Sequence, residues 1–285
     1  MDGSHADENP IPNRHIVELS WYHTEFTLLT SLGGRWDLEL DLPFDVKVQD
    51  VRFETPDGAP FDNPAGLIHH RDETLQGIGD MKVLGNLRPT SVLAKGDLLT
   101  VGMGLSLPTG KIEENPYELG ALGIRHRHIQ FGTGTIDPVL RLGYLTPVGK
   151  WRLDASLDFQ LSLYETRHGY RGPLNMTFNL GPNLNLGGLG VGLQYSGWYQ
   201  GRAKWDGQTD PNSGYFVQGI RLSASIPMDP SWSVRFSATW LYDADTRPGA
   251  DQFTLDWLFG ISVAYSPKAT DAGEMPGRLR PPWGK

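Results

Sequence analysis

"GRWDLELDLPFDVKV", residues 34 to 48, changes chemistry at almost every step. Trp36, Leu38, Leu40, Leu42, Phe44, Val46 and Val48 take the even positions, while Arg35, Asp37, Glu39, Asp41, Asp45 and Lys47 take most of the odd ones. Side chains of a strand point to opposite faces in turn, so this pattern sorts apolar groups to one side and charges to the other. A helix would mix the two sets. Strands of soluble domains run about 5–6 residues. An alternation roughly twice as long suits the ~9–11 residues that a tilted strand needs to cross a bilayer.

The pattern recurs at "KWRLDASLDFQLSL" (150–163), "LNMTFNLGPNLNL" (174–186), "SWSVRFSATW" (231–240) and "FTLDWLFGISVAY" (253–265). Less regular versions lie near 14–27, 78–88, 97–107, 136–146, 188–200 and 215–226. These make about eleven candidates, and a closed single-chain bacterial barrel prefers an even number. Twelve is therefore expected, with one strand misread near the N-terminus. Short turns at 31–34, 146–150, 187–190 and 227–231 alternate with long polar segments near 53–76, 108–133, 165–173, 201–213 and 243–252. The expected fold is all-β, a closed antiparallel transmembrane β-barrel of about twelve strands over 14–266, with short periplasmic turns and long extracellular loops. A flexible segment, 1–13, precedes it and a polar tail, 267–285, follows.

Trp36, Trp151, Trp232, Trp240, Tyr164 and Tyr265 sit near strand ends, where aromatic girdles of a barrel meet the lipid headgroups. The competing reading makes them core aromatics of a soluble sandwich. Pro43 and Pro182 fall inside strands and remove ladder donors, which predicts a bulge or local break at each.

Composition narrows the function. The 285 residues include 35 Gly, 9 Trp and no Cys, with 39% hydrophobic residues and a formal charge of -8. No stretch approaches the ~18 continuous apolar residues of a transmembrane helix. The net negative charge gives no footprint for nucleic acid. Without Cys there are no disulfides, thiolate metal sites or cysteine nucleophiles. No secretory signal is visible after Met1, and for an exported protein the expectation is a mature or engineered form with its leader removed.

The ionic faces name the candidate lumen-lining residues: Arg35, Asp37, Glu39, Asp41, Asp45, Lys47, Lys82, Arg88, Arg141, Arg152, Asp154, Asp158, Arg221, Arg235 and Asp256. Asp80, Asp97, Asp137 and Lys150 belong to the same polar count. The near balance of signs predicts cross-strand salt bridges and a lumen that is narrow or closed at their height.

His69, His70, His126 and His128 are the candidate metal ligands. An extended segment turns His126 and His128 to the same side, yet Arg71, Arg125 and Arg127 beside them oppose a cation and favour ordinary polar loop residues. No nucleophile elbow, phosphate loop or dinucleotide fingerprint is present, and neither an enzyme nor a cofactor is expected.

"GIGDMKV" (77–83), "GLSLPTGK" (104–111) and "FGTGTIDPVLRLGY" (131–144), in that order, together with "LDLPF" (40–44), resemble the MetA-pathway phenol-degradation family of bacterial outer-membrane transporters. The resemblance covers most of 30–265. It implies a barrel of about twelve strands and uptake of small, often aromatic or hydrophobic compounds, with a lipid bilayer and a small solute as partners. It supplies no catalytic residues. The tail after Tyr265 departs from barrels that end on an aromatic residue, and the N-terminal hairpin is compressed. The expected role is an outer-membrane channel or passive transporter. The alternatives are a non-conducting structural or binding barrel with a salt-bridged lumen, and a soluble β-sandwich or ligand-binding barrel.

Overall fold

The computed structural model describes residues 2–3, 14–62, 66–68, 70–246 and 254–266. Twelve strands carry the fold: β1 (Arg14–Gly33), β2 (Trp36–Glu54), β3 (Glu73–Ile78), β4 (Met81–Leu87), β5 (Leu98–Leu107), β6 (Asp137–Val148), β7 (Trp151–Gln160), β8 (Asn175–Leu186), β9 (Leu189–Gln200), β10 (Tyr215–Pro227), β11 (Trp232–Thr246) and β12 (Trp257–Tyr265). Successive strands pair antiparallel, except that β3 and β4 both lie against β2 as one stave interrupted at Gly79 and Asp80. Among the described residues the sheet thus has eleven staves, and Asp2–Gly3 adds a short pairing on the outer edge of β1. A helix, α1 (Pro116–Ala121), and a small sheet of Tyr170–Arg171, Lys204–Trp205 and Gln208–Thr209 lie in the long connections. Phe253, most of the 1–13 segment, and the 267–285 tail fall outside the described residues.

The sheet curls into a half-barrel. Arg141 on β6 is ion-paired with Glu39 and Asp41 on β2, although β4 and β5 lie between. Three inter-strand steps span about 14 Å in a flat sheet. Side chains meet across that gap only if the polar face is concave.

Burial on β2 is the reverse of a soluble sandwich. Asp41 is 1% exposed and Asp37 2%, whereas Trp36 is 52% exposed. Leu38, Phe236, Trp240, Phe259 and Ile261 are likewise exposed on the apolar side.

Tight connections at 34–35, 149–150, 187–188 and 228–231 share one end of the staves, and 55–72, 108–136, 161–174 and 201–214 share the other. Gly187 (φ 63°) and Gly188 (φ 103°) are both left-handed, as the two-residue turn between Leu186 and Leu189 demands. The connection at 88–97 breaks the alternation, being a longer excursion at the tight end. Asp97, placed on the polar face by sequence, instead caps this turn: it accepts from the amides of Val92, Leu93 and Ala94 at 2.7, 2.8 and 2.7 Å.

Both prolines mark irregularities. The carbonyl of Pro43 accepts from the amide of Gly79 at the β3–β4 break, and the β8–β9 ladder lapses between Leu180 and Asn183, around Pro182.

Candidate functional site

The polar face of β1, β2, β4, β6 and β7 gathers a single acid–base network. Arg141 Nε donates to Asp158 Oδ1 at 2.5 Å, Nη1 to Glu39, and Nη2 to Asp41 Oδ2 at 3.3 Å. Its planar fork thus serves three carboxylates from two strands, geometry that a lysine could not match. Asn86 donates to Glu39 at 2.6 Å and Thr27 to Asp41 at 2.8 Å, and beside this network Arg88 makes a separate pair with Asp37. Charges this buried persist only when paired and hydrogen-bonded. Lys82 lies directly opposite Asp41 but forms no ion pair with any described residue.

Toward the long-loop end, Asp45 accepts from Trp21 Nε1 and meets His23 Nδ1, both at 2.7 Å. Lys47 Nζ donates to the carbonyl of Gln130 at 3.3 Å and sits 4.9 Å above the Phe131 ring.

From the tight-turn end of β7 onward to β11 the polar face is built differently. Arg152 grips Asp154 at 2.7 and 3.0 Å, and Asn183 adds a bond to Asp154 at 2.6 Å. Arg221 reaches Thr239 at 3.2 Å and the Trp198 ring at 5.8 Å, and Arg235 reaches Ser225 at 3.0 Å. Among the described residues neither has a carboxylate partner. Arg35 is exposed in the 34–35 turn, and Asp256 is exposed just before β12, so neither joins a network.

Asn183 falls on the polar face of the 174–186 alternation, as the sequence pattern places it, whereas Asn86, Trp21, His23 and Thr27 were not singled out by sequence. Asn86 keeps step with Lys82 on alternate positions, which was the available signal. The β1 residues gave none, because apolar residues occupy both of its faces.

In the loops, His70 stacks on His128 with ring centres 6.2 Å apart, His126 packs edge-on to His128 at 5.2 Å, and Tyr117 closes the group. His126 Nδ1 lies 2.8 Å from the carbonyl of Ile124. His69 is outside the described residues, and among those described no three His, Asp or Glu are grouped to hold a metal ion. Arg127 shares Glu73 with Arg71. The hydrogen bond to Glu73 raises Arg127 above the usual guanidinium value, whereas burial lowers Arg71.

No family model matches the chain, and no curated protein matches it. Among solved structures it resembles the crystal structure of the COG4313 outer membrane channel from Pseudomonas putida F1, with a TM-score of 0.57 and 13% sequence identity, over 90% of this chain and 84% of that one. At that identity the likeness is one of fold.

Proposed function

We propose that this chain is an outer-membrane channel or passive transporter for small solutes. The observation that carries the reading is the reversed burial: large apolar side chains exposed on one face, ions enclosed on the other. Lipid against the first face and a polar lumen within the second is the arrangement that satisfies both. The fold likeness to an outer membrane channel supports it. The inward ions would set selectivity, and hydrophobic or aromatic compounds, implied by the family resemblance, are the first solutes to screen.

Closure belongs to the same proposal. β1 and β12 run in the same direction, so eleven staves would close through a parallel seam. A strand antiparallel to both, two positions of which Asp2–Gly3 occupies beside Ile16 and His15, gives an even and wholly antiparallel barrel. Short connections would then face the periplasm and long ones the exterior.

A second reading has its own support. Arg141, satisfied by three carboxylates, favours a lumen closed by salt bridges and a structural or binding role. Conductance of the refolded protein in a planar lipid bilayer separates the two. Discrete current steps establish the channel; silence from protein that is inserted and heat-modifiable on gels establishes the closed barrel.

A further inference from the structure

The segments "GIGD" (77–80), "LPTG" (107–110) and "FGTGTIDP" (131–138) are far apart in the chain and meet at one carboxylate. Asp80, 8% exposed, sits at the β3–β4 break. Its Oδ1 accepts from the amide of Gly110 at 2.9 Å, and its Oδ2 from the amide and hydroxyl of Thr133 at 2.6 and 2.9 Å. Thr109 ties the same break from the other side, donating to the carbonyl of Gly79 at 2.8 Å and accepting from the amide of Met81 at 2.9 Å. Both ends of the 108–136 connection are thereby bound to a single irregularity in the wall. The approach is too close for side chains, since a Cβ on Gly110 would lie 2.8 Å from the Gly132 Cα and one on Gly132 would overlap the Asp80 carboxylate.

From this knot the connection runs over the polar face. Phe131 lies under Lys47 and packs on Gly77, at 3.4 Å from where a Cβ there would stand. Farther along, Asn115 donates to Asp206 at 2.7 Å and the Tyr117 hydroxyl to Asp210 at 2.6 Å. Those aspartates belong to the connection between β9 and β10, six staves away from β2 in the sheet order. The segment is therefore tied to two separate walls.

We propose that residues 108–136 form the constriction of the channel and that Asp80 is the positioning residue that holds Phe131 on the polar face. The proposal rests on the channel reading but has a readout independent of it. Asp80→Asn would set an amide against donors and free the connection, so trypsin should cut the refolded protein at Lys111 and Arg125 on the order of tenfold faster or more. Thr133→Val, which keeps the carboxylate and removes one bond, should fall between and serves if Asp80→Asn does not fold. Cleavage at the wild-type rate in both variants overturns the latch. In bilayers Phe131→Ala should raise single-channel conductance, Asp80→Asn should raise it similarly, and the double variant should add nothing. Unchanged conductance in Phe131→Ala, or additive effects in the double variant, overturns the constriction role. Silent wild-type protein overturns that role together with the channel reading, while the protease result still decides the latch.

Discussion

Arg141 and Asp158 face each other across the β6–β7 ladder, Nε to Oδ1 at 2.5 Å, while the same guanidinium reaches across two further staves to Glu39 and Asp41. One cation thus bridges the curved wall and is shared among three carboxylates. Arg141→Gln would leave enclosed carboxylates unpaired, at a cost of about 3–5 kcal/mol. The temperature at which the folded band converts to the unfolded one on gels should fall accordingly. Adding Glu39→Gln should recover part of the loss by removing one of the stranded charges. Recovery by neither that variant nor Arg141→Lys would show that shape, not charge, sustains the site.

Arg221 and Arg235 predict a different effect, because no described carboxylate offsets them. Reversal of either to Glu should move the zero-current potential under a salt gradient toward cation preference, and both together should move it farther. Arg152→Glu should act less, since Arg152 is already engaged with Asp154. A screened surface charge would lose its influence within a Debye length of ~8 Å at physiological salt. Insensitivity of the potential to all three reversals would place these arginines away from the ion path.

The strands were legible because their alternation is a local property: each apolar face in 36–48, 151–163 and 232–240 can be counted without knowing its neighbour. Pro43 and Pro182 were legible for the same reason, since the missing donor belongs to the residue itself. The partners of Arg141 were not, because Glu39 lies 102 positions away and meets it only after the sheet curls. Thr27, His23 and Trp21 escaped notice because β1 carries threonine, glutamate and aromatic residues on no consistent schedule. The Asp80 knot was half legible: its motifs could be recognised as a set, but nothing in a linear reading brings residues 80, 110 and 133 together. The 88–97 turn escaped because its cap, Asp97, reads like one more strand ion.

Gly104 and Gly85 offer a matched pair on neighbouring strands. A Cβ on Gly104 would overlap the carbonyl oxygen of Val83 and lie 2.7 Å from the Leu84 Cα, both backbone atoms that cannot step aside. A Cβ on Gly85 would find only the Met103 carbonyl, at 4.0 Å. Gly104→Ala should therefore part β4 from β5 and cost several kcal/mol, an effect seen as failure to form the heat-resistant band. Gly85→Ala should refold like the parent. Equal behaviour of the two would mean that the β4–β5 ladder can shift to make room.

Asp97 sets the acid limit of the 88–97 turn. Burial alone would push its carboxyl up, but the amides of Ala94, Leu93 and Val92 and the Tyr144 hydroxyl outweigh it and hold the group below the usual carboxylate range. A folded-state value below the unfolded one means that the stabilisation is complete above the unfolded pKa, about 3.9, and disappears as pH falls through the folded value. Hydrogen exchange in micelles should therefore show protection at residues 92–94 that holds steady above about pH 4 and declines below it. Asp97→Asn keeps one acceptor oxygen and loses the titration, so its protection should be lower and flat across the same range. A parent profile as flat as the variant's would show that the turn is held by its backbone bonds, Ser91 to Asp97 and Leu99 to Pro89, without help from the carboxylate.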